Sequence, residues 1–199
     1  MTVIGVLALQ GAFSKHISLL ESLGVRAVDV RKPEDLEGCQ GLIIPGGEST
    51  TMMRQIKFIH LEDPLKEFSK KKPLFGTCAG LILMSREIIS DTMEPFKIID
   101  VAVERNAFGR QYESFSVNLS IKLNALKPEQ IPAVFIRAPR IRDCGADVEV
   151  LSTFEGEPVL VKQGFHLGAT FHPELTQHPA IHEYFIKLVE TQVATLGYT

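Results

Sequence analysis

Residues 73–83 read Pro73-Leu74-Phe75-Gly76-Thr77-Cys78-Ala79-Gly80-Leu81-Ile82-Leu83. One apolar run ends at a thiol set among small residues and a second begins behind it, the pattern of a buried strand turning into a helix. A nucleophile on such a turn projects above the sheet, close to the backbone donors that open the new helix. Glycine on either side permits unusual dihedrals and removes side-chain crowding. Gly76-Thr77-Cys78-Ala79-Gly80 thus has the form of a nucleophile elbow with sulfur in place of oxygen. Taken alone it reads equally well as a buried thiol beside small residues.

Working outward, Thr2 to Leu9 is a Val- and Ile-bearing apolar run that suits a central strand. Gln10-Gly11 breaks it, and Phe13, Ile17, Leu20 and Leu23 recur at helical spacing until Gly24. Val25 to Val30 reads as a second strand and Gly41-Leu42-Ile43-Ile44 as a third, ending abruptly in Pro45-Gly46-Gly47. Ser49 or Thr50 can cap a helix through Met52, Met53, Ile56 and Ile59, and a second helix covers Leu65 and Phe68. Lys70-Lys71-Lys72 suits the solvated end of that helix.

The texture then changes to short strands: Ile98 to Val103, Phe115 to Leu119, Ala133 to Ile136, Val148 to Phe154, Pro158 to Lys162, and Leu167 to Thr170. Gly156 fits a turn between two of them. An amphipathic helix with Ile181, Tyr184, Phe185 and Leu188 closes the chain. Strands alternating with helices predict an α/β fold with right-handed crossovers.

A length of 199 residues suits one compact domain spanning 1–199 and is short for two. Lys and Arg total 21 against 24 Asp and Glu, a formal charge of -3, which offers no electrostatic footprint for nucleic acid. The amino terminus lacks a basic region and cleavage pattern, and no apolar stretch approaches membrane-spanning length, so a soluble cytoplasmic protein is expected. Cys39, Cys78 and Cys144 are odd in number and widely spaced, which fits neither a disulfide framework nor a compact metal site.

Phe171-His172-Pro173-Glu174 follows the strand ending at Thr170, and sheet ends gathered on one side bring it toward Cys78. His172 can take the thiol proton and return it to a leaving group, while Glu174 fixes its tautomer and stabilises its charged form. The other histidines, His16, His60, His166, His178 and His182, read as exposed or structural. Pro45-Gly46-Gly47-Glu48-Ser49-Thr50 lacks the spacing and lysine of a phosphate-binding loop. The N–H groups of Gly47 and Ala79 can instead form an oxyanion hole for acyl transfer.

With LALQG at Leu7 to Gly11, PGGEST at Pro45 to Thr50, GTCAG at Gly76 to Gly80, RNAFGRQ at Arg105 to Gln111, FIRAP at Phe135 to Pro139 and FHPEL at Phe171 to Leu175, the chain resembles the glutaminase subunits of pyridoxal 5'-phosphate synthase, a branch of the class I, triad-type glutamine amidotransferases. The resemblance implies a three-layer flavodoxin-like fold around a mostly parallel or mixed sheet. It also implies hydrolysis of L-glutamine to L-glutamate and ammonia, with Cys78 as nucleophile, His172 as acid/base, Glu174 as orienter and no cofactor. It places glutamine against Gly47, Glu48, Ser49, Arg105, Ile136 and Arg137, and makes Gln10 a partner-sensitive residue. The implied partner is a (β/α)8 synthase subunit that receives the ammonia, in an assembly of 12 synthase and 12 glutaminase subunits. Neither nucleic acid nor a membrane is an expected partner. Basic residues and a Met52-Met53 surface are candidates for docking.

Two stretches depart from the family pattern: Glu104, where a basic residue is more usual, and Gln177-His178-Pro179-Ala180. Neither removes a triad member. The competing readings are a class I glutaminase serving another acceptor pathway, a noncatalytic regulatory subunit, and a flavodoxin-like cofactor carrier.

Overall fold

The computed structural model describes residues 1–105, 107, 113–123 and 127–197; of RNAFGRQ, Asn106 and residues 108–111 lie outside the described residues. The chain runs β1 (Val3–Leu7), α1 (Phe13–Ser22), β2 (Arg26–Val30), β3 (Gly41–Ile44), α2 (Ser49–Phe58), α3 (Glu62–Ser69), β4 (Leu74–Thr77), α4 (Ala79–Met84), β5 (Glu87–Ile88) and β6 (Val101–Glu104). It continues through β7 (Ser114–Ile121), β8 (Glu129–Ile136), β9 (Arg140–Cys144), β10 (Glu149–Phe154), β11 (Glu157–Gln163), β12 (His166–Ala169) and α5 (Ala180–Leu196).

Seven strands form the main sheet in the order β10-β11-β12-β4-β3-β1-β2. The block from β12 to β2 is parallel and β11 runs antiparallel to both its neighbours, which makes the mixed sheet. Alternation along each strand divides the core between its two faces. Leu42, Ile44 and Leu74 point to the face covered by Met52, Met53 and Ile56 of α2, Leu65 of α3 and the buried α4. Ile4, Val6, Ile43 and Phe75 point to the other, with Leu20 of α1 and Ile181, Phe185 and Val189 of α5. The result is helix, sheet, helix in three layers. A Cβ on Gly41 would lie 2.5 Å from Val189 Cγ2, so the terminal helix rests directly on β3.

The turn at Gly156 joins β10 to β11 as expected, with Glu155 (φ 50°) and Gly156 (φ 82°) both in the left-handed region that a tight hairpin turn requires. The strand expected from Ile98 begins only at Val101, because the N–H groups of Ile98 and Ile99 both donate to Met84 O at the end of α4 (2.9 Å each). Strands β5 and β9 were not expected: one has two residues and the other carries Arg140, Arg142 and Asp143 without clean alternation. The cap of α2 is Glu48 rather than Ser49 or Thr50; its carboxylate accepts from Thr50 N (3.0 Å) and Thr51 N (2.8 Å). Met52 and Met53 are buried in the core and offer no docking surface. Among the described residues no helix is long and apolar enough to cross a membrane.

Candidate active site

Because β1, β3, β4 and β12 are parallel, the loops leaving their carboxyl ends meet along one edge of the sheet. The chain passes from β1 to β2 on one side and returns to β3 on the other, creating the crevice in which α/β sheets bind ligands. Gln10-Gly11, Gly46-Gly47, Cys78 and His172 all lie there.

Cys78 sits between β4 and α4 with φ 50° and ψ −107°, a backbone geometry that costs a non-glycine residue about 1–3 kcal/mol. Its N–H is pinned to Ala169 O (2.8 Å) and its carbonyl accepts from Ile82 N (3.2 Å). The flanking glycines have a steric reason. A Cβ on Gly80 would lie 1.9 Å from Ile44 O, and one on Gly76 would lie 2.6 Å from the Gly80 carbonyl carbon. Small residues thus let the turn press against β3, and the strain aims the sulfur outward.

His172 donates its backbone N–H to Val134 O (2.8 Å), and its Nδ1 meets Glu174 Oε1 at 2.7 Å. Glu174 is buried in the short 3-10 turn Pro173–Leu175. An ionised carboxylate can only accept, so Nδ1 carries a proton and Nε2 is the nitrogen left to exchange a proton at the reacting centre. Burial would by itself depress the imidazole pKa. Hydrogen bonds and charge from Cys78 and Glu174 outweigh burial and push it up to about 10. The structure therefore brings together all three residues singled out for the triad.

Beside them opens a cavity of ≈ 350 Å³, at the small end for metabolite sites. Cys78, His172 and each of Gly47, Glu48, Ser49, Arg105, Ile136 and Arg137 line it. The Cys78 sulfur lies 3.9 Å from Ile136 O, and Arg137 holds a positive φ of 41° at the rim. Arg105 is steered by Ser49 Oγ (3.0 Å), Thr50 Oγ1 (2.9 Å) and an ion pair with Asp91. Glu48 uses its carboxylate to cap α2, and the Thr51 hydroxyl, against the effect of burial, leads in lowering its pKa to about 2.

A Cβ on Gly47 (φ 153°) would lie 2.8 Å from Gln10 Oε1, so a side chain there would displace Gln10. That oxygen accepts the Glu48 N–H (2.8 Å), while Gln10 Nε2 donates to Gln55 Oε1 (3.0 Å). Gln10 thereby fixes the peptide next to the proposed oxyanion donor without lining the cavity. Ala79 opens α4, where its N–H lacks an intrahelical partner.

Two residues escape a reading of the sequence alone. His16 of α1 and His182 of α5 are fully buried, joined Nδ1 to Nε2 at 2.9 Å, and His16 Nε2 faces Glu174 Oε2 at 3.4 Å. The signal that could have found them is a polar ring on an apolar stripe: His16 shares one helix face with Phe13 and Leu20, His182 with Phe185 and Ile186. The departure at Glu104 is locally balanced, since its carboxylate accepts from Arg142 Nε at 2.6 Å.

Sheet order, strained thiol and buried histidine–carboxylate pair together define a triad-type amidotransferase of the three-layer α/β class. The chain belongs to the SNO glutamine amidotransferase family, whose model matches residues 6–191. It is 48% identical over 188 residues to the pyridoxal 5'-phosphate synthase subunit PdxT of Thermosipho africanus, covering 94% of this chain and 98% of that one. To the protein of the same name from Shouchella clausii it is 50% identical over 187 residues, 94% of each chain. A crystal structure of a glutamine amidotransferase superposes with a TM-score of 0.87 at 45% identity, covering 94% of this chain and 98% of that one. The structure of PurLQS from Thermotoga maritima shares the fold at a TM-score of 0.63 and 16% identity, over 98% of each chain.

Proposed function

We propose that this protein, acting as one domain over residues 1–199, hydrolyses L-glutamine to L-glutamate and ammonia and delivers the ammonia to a pyridoxal 5'-phosphate synthase subunit. The observation that carries this is the meeting of the strained Cys78 with His172 and buried Glu174 beside a metabolite-sized cavity, in a chain about half identical to synthase subunits along nearly its whole length.

The Cys78 thiolate attacks the side-chain carboxamide carbon, and the carbonyl electrons move onto oxygen, where the Gly47 and Ala79 N–H groups receive them. His172, protonated at neutral pH because its pKa lies near 10, gives its proton to the nitrogen as the carbon–nitrogen bond breaks. Ammonia leaves, and a glutamyl thioester remains on Cys78. Neutral His172 then takes a proton from water, hydroxide adds to the thioester, and the second oxyanion collapses by expelling the thiolate. Arg105 or Arg137 suits the substrate α-carboxylate. Glu48 suits the α-amino group through whatever acceptor capacity its capping bonds leave.

The synthase partner is a (β/α)8 subunit in an assembly of 12 copies of each chain, working in the cytoplasm, and Gln10 is the partner-sensitive residue, a reading supported by its bond to the Glu48 N–H. Glutamate release with purified synthase present and absent tests the reading, followed by pyridoxal 5'-phosphate formation with glutamine as sole nitrogen source. Stimulated turnover with product formation is expected. Absence of both association and stimulation would point to another acceptor pathway.

A further inference from the structure

On the side of Glu174 away from the cavity lies a file of buried polar groups that the amide chemistry does not use. Glu174 Oε1 meets His172 Nδ1 at 2.7 Å, Oε2 faces His16 Nε2 at 3.4 Å, and His16 Nδ1 meets His182 Nε2 at 2.9 Å. Among the described residues, neither Glu174 Oε2 nor His16 Nε2 has a hydrogen-bond partner, so the two buried atoms face each other at 3.4 Å with the bond between them not formed. The helix carrying His16 is registered against the catalytic edge, because a Cβ on Gly11 would lie 1.9 Å from Gly46 O.

Counting protons gives the file a direction. A neutral imidazole has one N–H and one lone pair. Burial keeps His16 and His182 neutral, and for His16 the charges of His182 and His172 act the same way. If the His16 proton sits on Nε2, it points at Glu174, and Nδ1 is free to accept the Nε2–H of His182. What remains is a bare lone pair on His182 Nδ1, which agrees with the lack of a partner at that atom. The opposite arrangement sets a His16 lone pair against a carboxylate oxygen and strands a buried N–H on His182, so it is disfavoured twice. Around the file, the Phe75 ring packs edge-on against His182 at 6.0 Å, and Lys15 and Gln177 share the shallow cleft that borders Glu174.

We propose that His16 is a positioning residue for the glutaminase reaction: its Nε2–H, held in that tautomer by His182, closes onto Glu174 Oε2 and keeps the carboxylate aimed at His172. The inference rests on the reading of Cys78, His172 and Glu174 as the triad.

Three substitutions separate this role from packing. In His16→Gln the amide N–H replaces Nε2 and still reaches Glu174. In His16→Asn the amide falls near the Nδ1 position, meeting His182 but not Glu174. His16→Phe removes both bonds. With synthase present, the Gln variant is expected to turn over close to the native rate. The Asn and Phe variants should lose on the order of ten- to a hundredfold in kcat with KM for glutamine unchanged. In the isolated chain, the His172 ring titration followed by NMR should move to lower pH in the Asn variant and stay in place in the Gln variant, since a carboxylate turned away from Nδ1 stabilises imidazolium less. Simple loosening of α1 would leave that titration unmoved. Equal kcat for the Gln and Asn variants, or an unshifted His172 titration in the Asn variant, overturns the proposal, and this pair decides even if the Phe variant does not fold. His172→Asn and Glu174→Gln are measured alongside. Full turnover by these would sink the triad reading itself, whereas their silence beside a fully active Asn variant sinks only the role of His16.

Discussion

Gly46 and His172 are packed so closely that a Cβ built on the glycine would lie 2.4 Å from the imidazole Cε1. The turn after β3 therefore forms one wall of the slot that holds the ring, and its lack of a side chain is a requirement of the site. Gly46→Ala should tilt the imidazole away from Cys78 while leaving the sheet intact. A kcat lower by about a hundredfold, with little change in the urea midpoint, is expected. Native turnover by this variant would show that the ring position is not critical.

Gly80→Ala should behave in the opposite way. Its Cβ would lie 1.9 Å from a backbone oxygen, Ile44 O, which cannot swing aside as a side chain can. Overpacking a buried contact of this kind costs about 1–3 kcal/mol. Urea unfolding checks it, and unchanged stability would mean that α4 can lift from β3 freely.

Glu48 has two duties that substitution can separate. Glu48→Ala removes the acceptor for Thr50 N and Thr51 N and should lose about 1 kcal/mol of stability. Glu48→Gln keeps an oxygen for the cap and loses the charge, so its expected signature is a raised KM for glutamine with a smaller stability change. Because the folded Glu48 pKa is about 2, below the ordinary 4.5, its stabilising contribution is present above about pH 4.5 and fades as pH falls toward 2.

Three buried histidines set a separate acid sensitivity. Burial lowers His166 and His182 to about 4 and takes His16 well below its ordinary 6.5. Between pH 6.5 and 4 the unfolded chain binds more protons at these sites than the folded one, so stability must fall as pH falls. Each group contributes on the order of 1 kcal/mol per pH unit in that window. Urea midpoints between pH 6.5 and 5, above the range where Glu48 titrates, should decline steadily. A flat profile would contradict the burial of these rings as neutral species.

Arg105 is held at the cavity by Ser49, Thr50 and Asp91. Arg105→Gln should raise KM for glutamine by about tenfold, the loss of one charged hydrogen bond, and leave kcat nearly unchanged. A fall in kcat at constant KM would move Arg105 from substrate binding to the chemistry.

Much of this site is written in local sequence. The elbow shows in Gly76-Thr77-Cys78-Ala79-Gly80, since a strand-to-helix turn under strain needs those small residues. His172 and Glu174 are two positions apart, so their pairing can be read directly. The file behind them is hidden because His16 and His182 meet from helices 166 residues apart in sequence and gather on one carboxylate only after the chain folds. Helical periodicity places Met52 and Met53 on α2 without saying which face the sheet covers. Glu48 reads first as a substrate charge, which conceals its part as a cap. Strand β9 escapes because its arginines serve an ion-pair cluster with Glu104 and Glu157 rather than an apolar face.

The most direct measurement is the peptide mass map of the synthase-bound protein, acid-quenched during glutamine turnover. A glutamyl group carried by the Cys78 peptide, absent from Cys78→Ala together with all glutamate release, is the expected result. Steady glutamate release by Cys78→Ala would contradict the central claim.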